Sequence, residues 1–132
     1  MQYNRLEAFR HTFKDPITAT FRLIVEGENE ADVEISKRGA CLIMDLSPSG
    51  MRIYSDLSIP KIPGQTVHLA IDVLLNDEPL TLVGNIVWKK AYRDGNSYGI
   101  DLKTDKLIEY NIIKELKARR RNELAESKKS KK

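Results

Sequence analysis

Ala40-Cys41-Leu42-Ile43-Met44-Asp45-Leu46-Ser47-Pro48-Ser49-Gly50-Met51-Arg52-Ile53-Tyr54 is the stretch on which the fold turns. It is apolar up to Asp45, carries turn residues over Ser47-Pro48-Ser49-Gly50, and resumes apolar and polar alternation from Met51 to Tyr54. That pattern predicts a strand, a tight turn and a second strand. The texture continues on both sides. Ile17 to Val25 is rich in β-branched and aromatic residues and ends in the turn Glu26-Gly27-Glu28-Asn29, and Ala31 to Lys37 alternates Val33 and Ile35 with Asp32, Glu34 and Ser36. Beyond the Pro-rich loop Ser58 to Gly64, Thr66 to Leu75 and Pro79 to Trp88 flank the turn Asn76-Asp77-Glu78, and Ser97 to Leu102 follows the turn Arg93-Asp94-Gly95-Asn96. Six or seven short strands spaced by turns make the protein mainly β, an antiparallel barrel or sandwich.

The two ends differ from this body. Residues 1–15 are polar with isolated aromatics and carry Arg5, Arg10 and Lys14; Asp15-Pro16 closes the segment, which is expected to be a flexible arm. Residues 16–103 form the β domain. From residue 104 to 132 the chain reads as a helix and basic tail, with Thr104 as the cap and Leu107, Ile108, Ile112, Ile113 and Leu116 near a 3.6-residue period. Past Leu116 the apolar positions thin, so the helix is expected to run into solvent and fray.

Composition removes several function classes. With 132 residues, 41% hydrophobic and 31% charged, the chain suits one globular domain. It has no apolar run of membrane-spanning length, its start lacks a signal-peptide core, and Cys41 is its one cysteine; a cytoplasmic location is expected. Cys41 reads as a small buried hydrophobe. Residues 117–132 hold eight basic and two acidic side chains, a net +6, which leaves residues 1–116 with 14 basic and 17 acidic, a net −3. An acidic body argues against DNA binding. The tail admits three readings: a solvated helix end, a partner-docking arm or a weak contact with an anionic surface. The tail has no anchoring aromatic, so no stable membrane insertion is expected.

Catalysis finds no support. The histidines are His11 and His68, without metal-ligand spacing to Cys or carboxylates, and no nucleophile elbow, phosphate loop or dinucleotide-binding glycine pattern is present. No enzyme activity, metal or cofactor is expected. What stands out is a pair of segments, the arginine-bearing stretch before the first strand and Asp45-Leu46-Ser47-Pro48-Ser49-Gly50 between two strands. Guanidinium groups grip phosphates and guanine edges and stack on bases. Asp45 can accept from a guanine edge or cap the turn, Ser47 can bond a phosphate or the backbone, and Gly50 can supply a positive φ.

These residues, with Gly84-Asn85-Ile86-Val87-Trp88 and Tyr98-Gly99-Ile100-Asp101-Leu102, make the chain resemble the PilZ domain family over residues 5–103. The resemblance implies a six-stranded antiparallel β-barrel with a C-terminal α-helix. It also implies a bacterial, non-catalytic receptor for cyclic di-GMP, in which an arginine loop folds over ligand held against the Asp-x-Ser-x-x-Gly surface. Carried over residue by residue, the implied ligand contacts are Arg5, Arg10, Asp45, Ser47 and Gly50, with Lys14, Arg52 and Trp88 as further candidates. The family's Arg-x-x-x-Arg spacing is altered: Arg5 and Arg10 are separated by four residues, and Arg10-x-x-x-Lys14 is the other register. Trp88 reads as rim packing or as a base-stacking ring. A downstream protein would read the closed arm. The alternative is a degenerate PilZ-like interaction module that does not bind the nucleotide.

Overall fold

A computed structural model describes residues 10–26, 33–35, 38–59, 66–76 and 78–129. Seven strands and one helix follow in order: β1 (His11–Glu26), β2 (Val33–Ile35), β3 (Gly39–Leu46), β4 (Gly50–Ser55), β5 (Thr66–Leu74), β6 (Pro79–Tyr92), β7 (Gly95–Leu102) and α1 (Lys106–Lys129). All pairings are antiparallel. Six strands run in the order β1-β3-β4-β7-β6-β5, and β1 pairs again with β5, so the sheet closes into a barrel with no free edge between its staves. β2 extends the β3-side edge of β1, pairing with Ile24 to Glu26 beyond the last β3 contact at Phe21.

The period-2 alternation read in the sequence fills this barrel. Phe21, Ile43, Ile53, Leu69, Ile71, Leu82, Tyr98 and Ile100 point inward and are essentially inaccessible. Tyr98 brings a hydroxyl into the core and satisfies it there, accepting from the Ile59 amide at 2.9 Å and donating to the Leu57 carbonyl at 3.1 Å. Cys41 is buried as expected, and desolvation pushes its thiol up to about 12. His68 on β5 meets the Asn85 side chain of β6 at 2.5 Å.

Three expectations change. β1 begins at His11 and not at Ile17, so residues 11–15 of the expected arm are strand. Pro16 did not end the strand, because the ladder with β3 is interrupted between Thr12 and Ile17, where Phe13 to Pro16 stand opposite Met44 alone and no Pro amide is required. The helix is capped by Asp105, whose Oδ1 accepts from the Ile108 amide at 2.8 Å; Thr104 donates to Glu109 instead. Past Leu116 the helix stays on the body. Ile112 and Leu116 are buried in the core cluster, Arg119 donates to the Leu75 carbonyl at 3.4 Å, and Glu123 meets His11 at 3.0 Å.

Candidate functional site

Two β-bulges build the site. On β3, Ile43 pairs with Ile53 but Asp45 pairs with Arg52, so Met44 is an extra residue and the facing of the strand inverts after it. Leu46 thereby enters the core, and Asp45, which strict alternation from Ile43 would send inward, joins the outer face. On β6, Ile86 pairs with Ile100 but Trp88 pairs with Gly99, so Val87 is extra and Trp88 is turned outward. The ladders then align one residue from each of five strands across the outside of the barrel: Thr12, Asp45, Arg52, Gly99 and Trp88.

A groove of about 540 Å³ lies along this row. Arg10, Asp45, Arg52, Trp88 and Gly99 line it together with Ser49, Gly50, Met51, Val87, Ile100 and Asp101. Glycine lets one wall of it sit close to the strand. A Cβ on Gly99 would lie 2.0 Å from Trp88 Nε1, so the indole covers the space a side chain would take. Gly50 is needed for a different reason than expected: its φ is not in the left-handed region, but a Cβ there would stand 2.8 Å from the Ile100 carbonyl oxygen.

Arginine meets carboxylate at the groove. Asp45 is buried, with Oδ2 3.2 Å from Arg52 Nε and Oδ1 3.8 Å from a terminal nitrogen of Arg10. Both arginines remain substantially exposed, Arg10 at 50% of its side chain and Arg52 at 41%. Neither contact is a hydrogen bond: Asp45 Oδ1 and Arg52 Nε are both enclosed by protein and without a hydrogen-bond partner. The site therefore holds one shielded carboxylate oxygen without a donor, two partly exposed arginines paired to that carboxylate, and Trp88 at 44% exposure. That set can take an anion by its phosphate oxygens and a base by its edge and its face.

Of the candidates read from the sequence, Arg10, Asp45, Gly50, Arg52 and Trp88 come together here. Ser47 does not line the groove. It is fully buried and fastens the turn, its amide donating to the Gly50 carbonyl at 2.8 Å and its hydroxyl bonding both the amide and the carbonyl of Gly50 at 3.2 Å. Lys14 is exposed on β1, outside the groove lining. Arg5 lies outside the described residues. Sequence reasoning missed Ser49, Met51, Val87, Gly99, Ile100 and Asp101 as lining groups; the segment from Tyr98 to Leu102 drew attention to three of them without showing which way they face.

Among the described residues, no group of three or more His, Cys, Asp or Glu could hold a metal ion, and no helix is long and apolar enough to cross a membrane. No curated protein and no solved structure matches the chain. The model of the PilZ domain matches residues 7–118, which takes in the whole barrel and the first half of the helix. With its closed six-stranded barrel and C-terminal helix, the chain belongs to the PilZ domain family, a family of cyclic di-GMP-binding domains that act as non-catalytic receptors.

Proposed function

We propose that this protein is a cytoplasmic cyclic di-GMP receptor without catalytic activity, and that ligand binding orders the N-terminal segment over the groove. The observation that carries the reading is the approach of Arg10 to Asp45 at 3.8 Å, which joins the arginine segment to the Asp-x-Ser-x-x-Gly turn at one groove. The guanidinium groups of Arg10 and Arg52 neutralise the two phosphodiester charges, with Arg5 arriving from the segment before β1. The Asp45 carboxylate accepts from a guanine N1 and N2 edge, and Trp88 stacks a base. Ser47 and Gly50 act indirectly by holding the turn that carries Asp45. Lys14, on the first strand, adds positive charge at longer range.

Fixing a segment costs about 1–2 kcal/mol per residue, so the charge-assisted bonds must exceed that cost for the arm to close. The closed arm and the neighbouring barrel face then present a surface for a downstream protein. Calorimetric titration with cyclic di-GMP tests this. Saturable heat that is lost in Arg10→Ala is the expected result. The absence of heat with the wild-type protein would leave the interaction module that does not bind nucleotide. Trp88 is the chain's one tryptophan, so its emission follows the same titration without a label.

A further inference from the structure

The charges of α1 are sorted by face. Within residues 106–125 its three carboxylates turn toward the body or its own first turn. Glu109 accepts from Thr104, Glu115 from Asn76, and Glu123 lies against His11 and Arg119. The opposite side, away from buried Ile112 and Leu116, presents Lys106, Lys114 and Arg121, all exposed and with no acidic residue among them. At 1.5 Å per residue these cations span roughly 20 Å along one line. Interleaved with them at helical spacing are Leu107, Tyr110 and Leu124, which are 67%, 64% and 57% exposed. The anchoring aromatic missing from the basic tail is therefore present one helix segment earlier, on the same face. The sequence adds Lys128, Lys129, Lys131 and Lys132 beyond it.

We propose that this helix face docks the protein reversibly on an anionic lipid bilayer. Charge complementarity selects an anionic partner and excludes a second copy of the same face, since cation would meet cation. A bilayer fits better than an acidic protein because the face is a convex ridge: a flat, deformable surface needs no matching groove. Its mixture of Lys, Tyr and Leu also suits the headgroup boundary, where lysine stems and an aromatic ring lie with their polar ends in water. The inference does not depend on nucleotide binding.

Co-sedimentation of the full chain with vesicles tests it, comparing phosphatidylcholine alone with phosphatidylcholine containing phosphatidylserine. The protein is expected to pellet with the anionic vesicles only, and less so as salt is raised. Lys114→Glu with Arg121→Glu should lower partitioning about thirtyfold or more. Leu107→Ser with Tyr110→Ser should lower it about fivefold or more while leaving its relative salt dependence unchanged. All four positions are exposed, so folding is spared, and the second pair tests the same face without touching charge. Equal pelleting with both vesicles, or full binding by the charge-reversed protein, would overturn the proposal. So would failure of the wild-type protein to pellet, and binding to poly-L-glutamate in that case would reassign the face to an acidic protein.

Discussion

Two aspartates on the outside of this barrel are each bracketed by two arginines, yet only one belongs to the groove described above. Asp45 lies between Arg10 and Arg52, at 3.8 and 3.2 Å; Asp72 lies between Arg22 and Arg38, at 3.5 and 3.6 Å. Both leave one buried carboxylate oxygen without a hydrogen bond. They differ in their strands. Asp72 sits in an unbroken ladder opposite Thr81, whose hydroxyl donates to it at 2.6 Å. Asp45 follows a bulge and lines a groove, one wall of which is the indole of Trp88 seated directly over Gly99 in the same cross-strand row. Paired charges alone do not make a binding site; concavity beside them does, because it lets a ligand replace water on several groups at once.

That contrast can be broken experimentally. Asp45→Ala should reduce cyclic di-GMP affinity about a hundredfold or more, since it removes a charged acceptor in a shielded place, whereas Asp72→Ala should leave the calorimetric isotherm unchanged. Arg10→Ala should cost about ten- to a hundredfold in the same titration, and Arg38→Ala nothing. Each of these two exposed arginines should change thermal stability by less than about 1 kcal/mol. Gly99→Ala sharpens the role of shape: the indole must move off the strand, with a loss of affinity of about tenfold and a shift of Trp88 emission in the absence of ligand. The smallest effect belongs to Cys41, in the barrel core. Burial raises its thiol from 9.0 to about 12, so its contribution to stability is complete below pH 9 and disappears as pH rises toward 12. Thiol-reagent kinetics at neutral pH should show labelling only through unfolding.

Much of this was legible in the chain. Alternation, β-branched and apolar runs, and the turn residues between them together located all seven strands, and the Asp-x-Ser-x-x-Gly segment marked the turn beside the groove. What could not be read were the places where alternation is interrupted. Met44 and Val87 look like ordinary strand residues, and only their pairing partners reveal them as insertions. Pro16 looked like a boundary because a proline cannot serve a regular ladder, but it occupies an irregular stretch of one. Ser47 was read as a ligand contact because a hydroxyl between strands can bond either a phosphate or the backbone, and burial decides between them. The meeting of His11 with Glu123 joins residues 112 positions apart, which local periodicity cannot anticipate.

The bulges also determine which kind of genetic change the site can absorb. A substitution at Met44 or Val87 keeps the count of residues and leaves Asp45 and Trp88 facing outward. Deleting either residue would join Ile43 to Asp45, or Ile86 to Trp88, in plain alternation, so the pairs with Arg52 and Gly99 and the outward facing would survive and only the local bend of the strand would be lost. Descendants of this chain can therefore drift in side-chain identity at these two positions, or lose a codon at either, without sending the carboxylate or the indole inward.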